Sequence, residues 1–75
     1  MDEPEIMFDQ EYAGTKYRFF CGYFEGRWIL YVSPLDEFGY TYDELAEAKC
    51  FRSLTALEKY AYRNAESVIK DVYGI

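Results

Sequence analysis

Apolar positions along this 75-residue chain follow two different periods. From Thr15 to Ser33 almost every other residue is aromatic, with apolar side chains on both faces of an alternating pattern and a turn in the middle. From Leu57 to Val72 they recur every three to four residues. The first pattern predicts strands and the second a helix, because side chains alternate across a strand and repeat every 3.6 residues around a helix.

The alternating stretch predicts a β-hairpin closed by Glu25-Gly26. A two-residue loop there pairs Phe24 with Arg27, Tyr23 with Trp28, Cys21 with Leu30 and Phe19 with Val32. Tyr17, Phe19, Cys21, Tyr23, Trp28, Leu30 and Val32 then form one nearly pure apolar face. The opposite face carries Phe20, Phe24, Ile29 and Tyr31 beside Lys16, Arg18, Arg27 and Ser33. One register step would exchange the two sets, so the turn decides the assignment. A two-stranded hairpin is marginal in water, and Glu5–Asp9 is the best candidate for a third strand. Ser33-Pro34 ends the second strand, since proline cannot donate to a ladder.

Leu35 to Tyr40 reads as a loop. Thr41 to Glu44 has capping-box spacing, which predicts a short helix running to about Cys50. A strand over Glu44–Phe51 is the competing reading. The last segment predicts a long helix capped by Ser53 or Thr55. Leu57, Ala61, Ala65, Val68 and Val72 form its apolar stripe, with Tyr60 and Ile69 beside it. Glu58, Lys59, Arg63, Glu66 and Lys70 take the wet side, Glu66 and Lys70 in the favourable i,i+4 order. Gly74 sits where a C′ glycine belongs. The expected fold is α+β, in a single small domain over residues 1–75. It is a small antiparallel sheet of about three strands, with a short helix and a long C-terminal helix packed on one face.

Composition sharpens this picture. A chain of this size hides only about 60% of its unfolded surface. Aromatic residues make up 21% of it, nine Tyr and six Phe among them. Rings bury much area with few rotatable bonds, and they also anchor interfaces. The core face accounts for four of the hairpin's seven rings. The Phe20, Phe24, Ile29 and Tyr31 face is a surplus, and it is a candidate interface.

The net charge is −6 and the pI about 4.5. The acids are segregated. Asp2, Glu3, Glu5, Asp9 and Glu11 fall before residue 13, and Asp36, Glu37, Asp43, Glu44 and Glu47 fall between 36 and 47. On the expected short helix Asp43, Glu44 and Glu47 share one side, with Asp36 and Glu37 just upstream. The segment would present a ridge of carboxylates, and these five residues are the candidate partner-binding set. Such a ridge suits a basic surface built for nucleic acid. Acids also gather at helix N-termini because the macrodipole favours them.

The chemistry-bearing residues are few. The chain has no histidine, so the commonest general base is missing. Carboxylate pairs such as Asp36/Glu37 and Asp43/Glu47 have no context marking burial. Cys21 faces the expected core, where a thiolate is disfavoured. No enzymatic activity and no cofactor are expected. The acidic block lacks EF-hand spacing, and two cysteines make no zinc motif, so no metal is expected either. Cys21 and Cys50 read as two free thiols, or as one bridge in an oxidising compartment. The N-terminus has no apolar signal region, and no run is long enough to span a bilayer. The expected location is the cytoplasm, away from membranes.

In size, acidity and aromatic richness the chain is similar in general character to phage-encoded inhibitors of host defence, such as anti-CRISPR proteins. That compositional likeness carries over no residue roles. The leading expectation is a non-enzymatic protein–protein interaction module, an inhibitor from a phage or mobile element that occupies a basic, nucleic-acid-binding surface of a host complex. The first alternative is a homodimeric scaffolding protein that uses the aromatic sheet face. The second is a single-strand nucleic-acid binder in which Lys16, Arg18 and Arg27 reach phosphates, although an acidic chain makes that unfavourable.

Overall fold

The computed structural model describes residues 3–42 and 44–75. Four antiparallel strands form one sheet in sequence order: β1 (Glu5–Tyr12), β2 (Thr15–Phe24), β3 (Arg27–Pro34) and β4 (Ala46–Phe51). A single long helix, α1 (Leu54–Tyr73), follows and contacts all four.

The central hairpin has the register its turn dictates. Phe24 pairs with Arg27, Tyr23 with Trp28, Cys21 with Leu30 and Phe19 with Val32. Glu25 and Gly26 both take positive φ, 49° and 79°, which matches the twist of the flanking strands. A second two-residue turn, Ala13-Gly14, joins β1 to β2 in the same way, with φ of 51° and 83°. The first strand therefore runs past Asp9 to Tyr12, where Tyr12 pairs with Thr15.

The expected short helix over 42–50 is absent, and its competing reading holds: residues 46–51 form β4 against β3. The sheet thus has four strands, not three. The physical reason lies in β3. Ile29, Leu30 and Val32 are at most 4% exposed, so the free edge of that strand needs backbone partners. An isolated helix of about nine residues is marginal in water. Pairing with β3 satisfies both chains and turns Ala46 and Phe51 onto the core. Thr41, the expected cap, pairs instead with Leu35 as an isolated bridge.

The helix begins at Ser53. Its side chain accepts from the Ala56 amide at 3.1 Å, so Thr55 lies inside the helix rather than capping it. Gly74 closes the helix in the left-handed conformation, φ 68°, and its amide donates to the Lys70 carbonyl at 2.8 Å. At Asn64 the backbone leaves helical geometry (φ −124°, ψ 24°), and its side chain donates to the Tyr60 carbonyl at 3.1 Å. The helix is kinked there, and its apolar stripe stays on the sheet.

The core lies between α1 and one sheet face. Phe19, Leu30, Val32, Leu57, Ala61 and Ile69 are fully buried there. Rings extend it in stacks. Phe8 lies 4.8 Å from Phe19 and 4.5 Å from Tyr62, centroid to centroid. The Tyr73 hydroxyl donates to the Val32 carbonyl at 3.2 Å, tying the end of the helix to the sheet. Lys49, on the helix side of β4, holds its Nζ 4.5 Å from the centre of the Tyr60 ring. Trp28 is half-buried and Tyr23, expected in the core, is 49% exposed; the two meet edge to face at 5.0 Å near the end of the hairpin.

Candidate interaction surfaces

The acidic segment between β3 and β4 is organised by Asp36. Its carboxylate oxygen Oδ1 accepts from the amides of Phe38 and Tyr40, both at 2.9 Å. Its own amide donates to the Tyr40 carbonyl at 2.8 Å. Gly39 supplies the positive φ, 85°, that brings the chain back. Leu35, just upstream, donates to the Lys16 carbonyl at 2.8 Å, which anchors the loop to β2. Asp36 is thus a turn residue, half-buried, with its carboxylate engaged in the loop.

This framework turns three rings outward. Phe38 is 77% exposed, Tyr40 70% and Tyr42 58%. Beside the loop an open groove of about 620 Å³ runs toward the β1–β2 turn, lined by Glu11, Lys16, Asp36, Glu37 and Phe38 among others. Residues 35–40 are the loop that the sequence predicts, and the outward rings are the part that its pattern leaves unassigned. The signal was present in FGYTY: aromatic residues at alternate positions with a glycine between, flanked by acids.

Of the five residues expected to form one ridge, the four described ones are dispersed. Glu37 is exposed at the loop tip and Glu44 is exposed before β4. Glu47 is exposed on β4, paired with Tyr31 on the sheet face away from the helix. Asp43 lies outside the described residues. The helical ridge does not form because the segment is loop and strand.

The outer sheet face carries the surplus apolar residues. In register, Phe20 lies between Ile6 and Tyr31, and Ile29 lies between Gly22 and Cys50. Phe20 and Ile29 are buried, Tyr31 is half-buried, and Phe24 is 41% and Ile6 62% exposed. The Tyr31 ring crosses Gly22 so closely that a Cβ there would sit 3.1 Å from it, with Pro4 at 3.7 Å. Burial raises the pKa of the Tyr31 hydroxyl, and Glu47 and then Cys50 add to the shift. Two basic residues of this face, Arg18 and Lys16, stand opposite acids, while Arg27 stands opposite Phe24. Arg18 donates to both Asp9 oxygens, at 2.7 and 3.1 Å, and this hydrogen bond holds the Asp9 carboxyl below its usual range. Lys16 pairs across the strands with Glu11. Phosphate binding by Arg18 would have to break its bond to Asp9.

Cys21 and Cys50 are both free, one buried and one exposed. They face opposite sides of the sheet with β3 between them, two strand spacings or roughly 10 Å apart, beyond disulfide reach. Burial pushes the Cys21 thiol up, as do the nearby Glu5 and Glu58, so it stays protonated at neutral pH. Among the described residues no three Cys, Asp or Glu side chains gather as metal ligands would, and no helix is long and apolar enough to cross a membrane.

Comparison with protein-family models, curated proteins and solved structures finds no match for this chain.

Proposed function

We propose that this protein is a non-enzymatic interaction module that docks on a basic protein surface through its acidic, aromatic loop, residues 35–44. The observation that carries this reading is the exposure of Phe38, Tyr40 and Tyr42 on a loop held in shape by Asp36. Exposed rings clustered together are unfavourable in water unless they serve a contact, and aromatic side chains dominate interface energetics. The turn over residues 36–40 is held by its own hydrogen bonds, and a segment held in this way loses little entropy when it binds. Glu37 and Glu44 set the electrostatic preference, and the Asp43 carboxylate adds to it by sequence. The rings supply affinity, and the carboxylates supply orientation and speed of encounter.

A basic surface that ordinarily binds nucleic acid fits this chemistry. An inhibitor carried by a mobile element and directed at such a surface is the specific form of the proposal. Affinity capture from the source cell tests it. The wild-type chain is expected to retain a basic protein that elutes with salt, and Phe38→Ala/Tyr40→Ala is expected to lose it. Equal retention by the double variant and by Glu37→Lys/Glu44→Lys would overturn the reading.

A further inference from the structure

We propose that the sheet face opposite α1 is the interface of a two-fold symmetric dimer of this chain. This inference is separate from the docking loop, which lies at one end of the sheet between β3 and β4.

The face has an apolar strip whose centre, Phe20 and Ile29, is closed over by neighbouring side chains such as Tyr31 and Pro4, and whose ends, Ile6 and Phe24, are open. Ile6, Phe20, Tyr31, Ile29 and Phe24 run across β1, β2 and β3. Among the described residues the single helix packs on the other side, and no further strand or helix covers this one. Ile6 and Phe24 stand 62% and 41% exposed.

Charge selects the partner. The chain as a whole carries −6. On this face the register places Asp9 opposite Arg18 and Glu11 opposite Lys16, and Glu47 and Arg27 stand on the same side of the sheet opposite Tyr31 and Phe24, an even balance of charge. A strongly basic or strongly acidic partner gains nothing from a neutral rim. A second copy loses least here, because the two acidic molecules meet at their neutral side. Such a balanced patch is also what an isologous interface requires, since each patch must complement itself.

The edges argue against lateral pairing. β1 is bulged between Ile6 and Phe8, and β4 is bulged opposite Leu30 and Tyr31. β1 carries Glu5, Asp9 and Glu11, and β4 turns the charged Lys49 toward the helix. Bulges and charges of this kind guard sheet edges against joining other strands. The face has no such guard.

The area is sufficient for a reversible dimer. The accessible surface is 5273 Å², against roughly 4,800 Å² expected for a folded monomer of this mass. Four strands about 4.8 Å apart and about eight residues long present roughly 500 Å². Two copies packed face to face would bury on the order of 1,000 Å², the low end of specific interfaces. Interfaces at that low end are those of weak, reversible complexes, so the dimer is sought between about 10 μM and about 1 mM chain.

Sedimentation velocity from about 10 μM to about 1 mM tests the proposal across that range. The wild type should shift from monomer to dimer. Phe24→Glu and Ile6→Glu, both at exposed positions, should raise the dissociation constant at least about tenfold with unchanged circular dichroism. Phe38→Ala should leave dimerisation unchanged, which separates this surface from the docking loop. Alkylation of the exposed Cys50 thiol by a maleimide should slow as the chain concentration rises, a readout that needs no variant. A wild type that stays monomeric at about 1 mM overturns the proposal. So does a dimer that both glutamate substitutions leave intact.

Discussion

Glu25 occupies a backbone position that most side chains avoid. Its φ of 49° is the cost of closing the hairpin in two residues, and Asn tolerates that region better. Glu25→Asn should therefore stabilise the fold by about 0.5–1 kcal/mol, a rise of roughly 2–8 °C in the thermal midpoint. An unchanged or lower midpoint would show that the turn is not strained. At Asp36 the expectation is the reverse. Asp36→Ala removes an acceptor shared by two amides, and hydrogen exchange at Phe38 and Tyr40 should quicken while the core amides keep their protection. The role of Asp36 was not legible beforehand. The run of acids around it drew attention to charge, and its contacts to Phe38 and Tyr40 depend on a turn closed by Gly39. Phe24 and Gly26 show the opposite case, in which a two-residue loop with glycine determined every pair in the hairpin.

Where a segment has one clear period, the element could be read from sequence. The helix stripe of Leu57, Ala61, Ala65 and Val68 is buried, and Gly74 caps the end. Residues 44–51 had no clear period, and local spacing pointed to a helix. The open edge of β3 recruited them as β4, a requirement set by residues some twenty positions upstream. The start of α1 was also narrowed by geometry, since only Ser53 has the extended conformation that lets its oxygen reach the Ala56 amide. Ser53→Ala should cost about 1 kcal/mol in chemical denaturation, and Thr55→Ala markedly less. Equal losses at the two positions would contradict the capping assignment. The expected carboxylate ridge failed with the helix that was to carry it. Glu37, Glu44 and Glu47 remain exposed, but on a loop, a strand entry and a sheet face.

At the scale of the whole molecule, the fold divides its rings among the core, the outer sheet face and the acidic loop. The core takes one face of the sheet, the docking loop takes one end, and the outer face stays neutral and apolar. The titrating groups tie this packing to pH. Burial raises the pKa of Cys21, Tyr73 and Tyr31. Each holds its proton more tightly folded than unfolded, so the unfolded chain releases protons first as pH rises. Their contribution is fully present below the unfolded values of about 9 for Cys and 10 for Tyr, and is lost as pH climbs above these through the raised folded values. The urea midpoint should fall between pH 8 and pH 10.5. A flat profile over that range would contradict the burial of these groups. Asp9 acts in the opposite sense. Its lowered pKa contributes stability that disappears as pH drops below about 4. At a half-exposed ion pair that contribution is under about 1 kcal/mol. The aromatic richness is therefore divided. Phe19, Tyr17 and Phe8 build the core, Phe24 and Tyr31 line the outer face, and Phe38, Tyr40 and Tyr42 project from the loop. Hydrogen exchange of the chain bound to its captured partner tests the central assignment most directly. Slowed exchange confined to residues 36–44 is the predicted result. Protection that leaves this loop unchanged and falls on α1 or the sheet would contradict it.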